Sequence, residues 1–173
     1  MLKFRIRDIP CEGKETTVTL DPSWYVATMS GIEGAWEEAT GEVALSLSRT
    51  GSEVLARGEI LAHLSSACGR CLTAARLDVR SEFATTFVPA GVTGADGEAL
   101  DDPDIETYEG EVIDLRTLVR EHVLLGIPMS PLCKPDCLGL CPRCGAELNS
   151  GPCGCVTAVD SRREALGAVK APR

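Results

Sequence analysis

From Glu42 onward apolar and polar residues alternate. Val43, Leu45 and Leu47 share one face, a Thr50-Gly51 turn follows, and Val54, Ala56, Ile60, Ala62 and Leu64 resume the alternation. A period of two on either side of a glycine turn predicts a β-hairpin. A third run puts Leu77, Val79, Phe83 and Phe87 on one face, so Cys68-Gly69-Arg70-Cys71 falls in the turn of a second hairpin. One apolar face per strand favours an antiparallel meander that curls toward a small barrel or sandwich. Upstream, Leu2 to Ile6 and Glu15 to Leu20 read as short strands with a turn at residues 10–13 between them, whereas residues 22–41, with Trp24 and Trp36, show no clear period.

Near residue 115 the period lengthens. Leu115, Leu118, Val119 and Val123 recur at helical spacing, Asp114 stands where a cap is needed, and Pro128 follows Gly126. A helix over about 115–126 that covers the sheet is the expectation. The fold class is therefore mainly β (α+β): an antiparallel meander or small barrel-like sheet with a covering helix over residues 1–128, a Cys-rich metal-binding extension over 129–155, and a basic tail over 156–173. In that tail Ser161 to Val169 suits a short helix capped by Asp160 or Ser161.

Charge narrows the partners. Residues 1–128 hold 11 Lys and Arg against 22 Asp and Glu, a net of −11, and residues 129–173 hold 6 against 4, a net of +2. Between Arg80 and Arg116 there is no basic residue, and Asp96, Glu98, Asp101, Asp102, Asp104, Glu106, Glu109, Glu111 and Asp114 crowd the stretch 95–115. Such a chain is no general phosphate binder. The acidic stretch reads as a solvated loop or as a surface for a basic partner. It lacks the alternating ligands and central glycine of a calcium loop. No secretory signal is recognisable near Met1 and no apolar run is long enough to cross a bilayer, so the expected place is the cytoplasm, with no membrane partner.

Six of the nine cysteines lie between Cys133 and Cys155, separated by Gly- and Pro-rich turns, with Leu138, Leu140 and Leu148 as the sizeable apolar side chains. That segment cannot bury enough to fold unaided, and a thiolate-bound metal supplies roughly 10–16 kcal/mol of folding free energy. In a reducing compartment clustered CxxC pairs are metal ligands more often than disulfides. Cys141-Pro142-Arg143-Cys144-Gly145 is a strong half-site for Zn2+, and Cys153 with Cys155 is the first choice for its other half. Cys133 and Cys137 can replace that second half, or meet Cys68 and Cys71 to form a second site, since eight clustered cysteines divide into two tetrathiolates. Arg70 and Arg143 hold the same place in the two CxxC turns, to offset thiolate charge or to contact RNA. Arg162, Arg163 and Lys170 make the tail the most basic local element. Cys11 reads as an inert lone thiol, and His63 and His122 lie in no nucleophile or zincin motif. No glycine-rich phosphate loop occurs in the chain, and no small-molecule substrate is expected.

Beyond single motifs, an ordered set is present. Cys68-Gly69-Arg70-Cys71-Leu72 is followed by Glu82-Phe83 and Phe87, by Tyr108 to Leu115 running into Leu118 to Pro128, then by Pro131-Leu132-Cys133, Cys137 to Asn149 and Cys153-Gly154-Cys155. Over roughly residues 60–155 this order resembles the YceD-like large ribosomal RNA subunit accumulation proteins. The resemblance implies a cytoplasmic, non-enzymatic factor needed for accumulation of large-subunit (23S) ribosomal RNA, through its synthesis, processing or protection during ribosome biogenesis. Its partners would be that RNA or a basic large-subunit ribosomal protein. In that family the CysxArgCys turn also occurs without the C-terminal cluster, which favours one metal site over two.

Two other classes compete. Paired CxxC turns can cycle as dithiols or hold iron for electron transfer, although no strand-helix alternation of the thioredoxin kind surrounds either pair. A metallohydrolase needs an open coordination position and a general base, and all-cysteine sites are usually closed.

Overall fold

The computed structural model describes residues 2–32, 34–92 and 102–155. Its largest sheet grows from the alternating runs: β3 (Thr40–Thr50), β4 (Glu53–Ala67) and β5 (Ala74–Pro89) form two successive antiparallel hairpins. The first closes through Gly51 and Ser52, and Gly51 takes the left-handed φ of 62° that so tight a turn requires. Val43, Leu45, Leu47, Val54, Ala56, Ile60, Ala62, Leu64, Val79, Phe83 and Phe87 are all buried, as the period of two demands. Gly58 interrupts the inward row, and the ring of its cross-strand partner Phe83 fills the space that a side chain would take.

The mainly β, α+β class holds, with differences at the margins. β2 (Lys14–Leu20) joins β3, while β1 (Lys3–Arg5) leaves the main sheet and pairs antiparallel with β7 (Val112–Asp114). Residues 10–13 thus link strands of different sheets. β6 (Ile105–Tyr108) lies parallel to β5, so the five-stranded order β2-β3-β4-β5-β6 is mixed at one edge. The residues between Pro89 and Ile105 provide the dozen or so that a parallel connection needs. The acidic stretch is accordingly in part strand: Glu106 lies in β6 and Asp114 in β7, with Asp102, Asp104, Glu109 and Glu111 exposed around them. Asp96, Glu98 and Asp101 fall outside the described residues.

Two helices close the core. α1 (Pro22–Thr28) arises in the stretch without a clear period; Asp21 caps it by accepting from the Trp24 N–H at 2.9 Å, and Pro22 opens its first turn. It delivers Tyr25, and with it Met29, to the interior. α2 (Arg116–Gly126) buries Leu118, Val119 and Val123, and Gly126 lets its end press onto Val79 of β5. Leu115, not Asp114, is its N-cap residue; the Asp114 carboxylate accepts from the Arg116 backbone N–H at 3.1 Å and pairs with its guanidinium at 2.6 Å. The Arg116 hydrogen bonds hold the Asp114 carboxyl below its usual range. No described helix is long and apolar enough to cross a membrane.

Candidate metal centre

The β4–β5 turn is built to present sulfur. Antiparallel pairing ends at Ala67–Ala74, and the Cys68 N–H donates to the Thr73 carbonyl at 2.8 Å, so residues 68–73 form a closed loop at the sheet's end. Within it the Leu72 N–H donates to the Cys68 carbonyl at 2.9 Å. The second CxxC turn repeats this device, with Gly145 N–H donating to the Cys141 carbonyl at 2.9 Å. In both, the residue after the second cysteine is left-handed, with φ of 64° at Leu72 and 72° at Gly145. Leu72 is the one non-glycine with positive φ among the described residues. Within the first turn a backbone amide points at the first sulfur: the Arg70 N–H approaches Cys68 Sγ at 3.5 Å.

α2 then delivers the chain beside this turn. Three hydrogen bonds fasten the extension there: Gly69 N–H to the Pro131 carbonyl at 2.7 Å, Leu140 N–H to the Arg70 carbonyl at 3.1 Å, and Arg70 Nη1 to the Cys137 carbonyl at 2.9 Å. Gly139 makes the approach feasible, because its φ of 76° and lack of a side chain allow contact where a Cβ would lie 2.9 Å from the Arg70 carbonyl oxygen.

The eight clustered cysteines fall into two groups of four. Cys68, Cys71, Cys133 and Cys137 form a proximal cluster against the sheet; Cys141, Cys144, Cys153 and Cys155 form a distal one. In each, every sulfur lies within 4.8 Å of the others. A tetrahedral ion about 2.3 Å from each thiolate requires sulfur separations of about 3.8 Å. Cys68 and Cys137 stand at 3.8 Å and Cys71 and Cys133 at 3.5 Å, distances that fit metal coordination and are far too long for a disulfide. Both groups can therefore hold a metal ion. Cys133 and Cys137 join the β4–β5 turn and leave Cys153 and Cys155 to the distal group, so the arrangement with a single cluster is not the one formed.

The surroundings favour thiolate. At Cys68 burial would raise the thiol, but N–H groups of Arg70, Cys133 and Cys71 and the Cys71 thiol bring it down to about 6. At Cys141 the N–H groups of Cys144 and Arg143, with the Cys153 thiol, outweigh burial and also bring it to about 6. Asn149 Nδ2 donates to Cys137 Sγ at 3.3 Å and lowers that thiol against burial. Each cluster balances this with a proton held tightly: contact with Cys71 and burial push Cys133 up to about 12, and contacts with Cys144 and Cys153 and burial push Cys155 up to about 12. Four sulfurs so close cannot all be charged unless a cation sits among them, and a divalent ion displaces the remaining protons.

Asn149 carried no signal in the sequence beyond its place after the CxxC turn. It accepts from the Leu138 N–H at 2.9 Å while donating to Cys137, so the loop of the distal cluster returns to brace the proximal one. A small antiparallel bridge between Leu140 and Glu147 closes the Cys141–Cys144 turn. Arg70 is exposed and commits one N–H to the extension, and Arg143 is exposed on the distal turn. Arg162, Arg163 and Lys170 lie outside the described residues. Cys11 is an exposed free thiol. His63 Nδ1 of β4 lies 2.7 Å from the Asp78 carboxylate of β5, and His122 Nδ1 of α2 lies 3.1 Å from the Ser81 hydroxyl; neither belongs to a cysteine cluster.

Uncharacterized proteins of Mycobacterium tuberculosis and Mycobacterium bovis are each 37% identical over 99 residues, covering 57% of this chain and 47% of theirs. One of Mycobacterium leprae is 32% identical over 105 residues, 60% of this chain and 47% of its own. The chain thus spans about half the length of the curated relatives it matches. No solved structure matches it. Residues 56–170, which include all eight clustered cysteines, match the family model for the large ribosomal RNA subunit accumulation protein YceD, and the chain belongs to that family.

Proposed function

We propose that this chain is a zinc-binding, non-enzymatic factor that supports accumulation or processing of large-subunit (23S) ribosomal RNA during ribosome assembly in the cytoplasm. Family membership over residues 56–170 carries the ribosomal part of this reading. Two sets of four cysteine sulfurs, each set gathered within 4.8 Å, carry the metal part, since zinc favours closed tetrathiolate sites without redox chemistry. Such sites have no open position for substrate. Their work is to hold a surface in shape.

Charge suggests how that surface is used. The exposed carboxylates Asp102, Asp104, Glu106, Glu109 and Glu111 ring one edge of the sheet and suit a basic large-subunit ribosomal protein. Arg143 on the distal turn, with Arg162, Arg163 and Lys170 beyond it, suits local contact with RNA phosphate. The test is depletion of the protein in its host, with the ratio of large- to small-subunit ribosomal RNA as the readout, followed by complementation. Wild-type chain should restore the ratio and a Cys68→Ser/Cys137→Ser chain should not. A ratio unchanged by depletion would contradict the reading.

A further inference from the structure

The two clusters differ in access to solvent. In the proximal cluster Cys68, Cys71 and Cys137 are 0%, 4% and 2% exposed, with Cys133 partly covered. In the distal cluster Cys144 is exposed and Cys153 only half-buried. Oxidation of thiolates follows access as well as ionisation. Connectivity differs too: proximal ligands come from the β4–β5 turn and from the segment after α2, whereas distal ligands all come from residues 141–155. The hydrogen bonds Gly69–Pro131, Leu140–Arg70 and Arg70–Cys137 that fasten the extension to the turn use no distal cysteine.

Resting on the zinc reading above, we propose that the distal cluster is an oxidation-labile zinc site, whose thiolates form disulfides and release the ion under peroxide while the proximal cluster keeps its own. The exposed Cys144 thiolate attacks one peroxide oxygen, which breaks the O–O bond, gives a sulfenic acid and expels hydroxide. A neighbouring thiolate of the same cluster, Cys141 or Cys153, attacks that sulfur, forms the S–S bond and expels a second hydroxide. Two thiolates thus lose two electrons, hydrogen peroxide gains them, and two protons from solvent complete two waters. With two of its four ligands gone the ion leaves. The YceD-family chain would thereby carry a part that responds to peroxide on a part that does not.

The experiment treats the full-length, zinc-loaded protein with hydrogen peroxide. Released zinc is followed with a chromogenic chelator, and samples are taken for disulfide mapping by peptide mass spectrometry. One zinc per chain should leave at least about tenfold faster than the other, in step with disulfides confined to residues 141–155. A reductant with added zinc should restore the starting state. Release of both ions at one rate, or first oxidation at Cys68, Cys71, Cys133 or Cys137, would overturn the proposal. Fewer than two zinc ions at the start would overturn the zinc reading itself, and the disulfide map would still decide which cluster oxidises first.

Discussion

The proximal and distal clusters use the same chemistry to different ends. Both place four cysteine sulfurs within 4.8 Å, and both begin with a CxxC turn followed by a left-handed residue. The distal cluster closes one short segment on itself. The proximal cluster joins segments more than sixty residues apart and packs against Ala75 with Leu132 and Leu140 at its side. A ligand set gathered from distant parts of the chain closes a long loop in the unfolded state, so a metal bound there would contribute more to the stability of the whole. The difference teaches that identical donor sets can serve as a fastening for the domain in one place and as a local fold in another.

Ligand removal should separate them most clearly. Cys137→Ser is expected to lower the midpoint of thermal unfolding by roughly 10 °C, because the sheet and the extension lose their shared ion. Cys144→Ser should lower it by about a third as much or less, since only residues 141–155 lose theirs. Calorimetry on both variants reads the contrast, and equal shifts would remove it.

A smaller effect is expected at Gly139. Gly139→Ala combines a disfavoured left-handed conformation with a clash against the Arg70 carbonyl, at a cost of about 2 kcal/mol. Denaturant unfolding should show that loss, together with faster removal of proximal metal by a chelator. Asn149→Ala should cost about 1–2 kcal/mol, as the Leu138 N–H and the Cys137 sulfur each lose a partner. It should accelerate loss of the proximal ion although Asn149 lies in the distal loop; loss unchanged from wild type would show that the two clusters are independent. The smallest effect is at Leu72, where glycine would relieve the left-handed strain that Gly145 avoids in the other turn. Leu72→Gly should stabilise by about 0.5–1 kcal/mol in the same unfolding assay.

The parts of this fold written in local periodicity were legible. Alternation from Val43 to Phe87 identified three long strands and their inward faces, and the 3.6-residue spacing of Leu115 to Val123 identified α2, because each pattern reports a face that must be buried. Pairing over long distance was less legible. The union of β1 with β7 and the parallel course of β6 depend on tertiary contacts that a three- or four-residue segment cannot encode. α1 was obscured by Trp24 and the small residues around it, although Asp21 and Pro22 are ordinary start signals. At the site, the sequence identified all eight sulfurs and allowed for two groups, yet favoured one. What decides the matter is whether the β4–β5 turn meets residues 133–137, and that rests on Gly69, Arg70 and Gly139 making a close backbone contact. Arg70 gave a partial hint through its parallel with Arg143; Asn149 gave none.

We propose that the chain holds two tetrathiolate zinc sites, one of which ties the sheet to the extension. Metal analysis of the purified full-length chain, with the zinc X-ray absorption edge recorded on the same sample, tests it most directly. Two zinc ions per chain, each with four sulfur neighbours at about 2.3 Å, are the predicted result. A single zinc, nitrogen or oxygen in the coordination shell, or iron in place of zinc would contradict it.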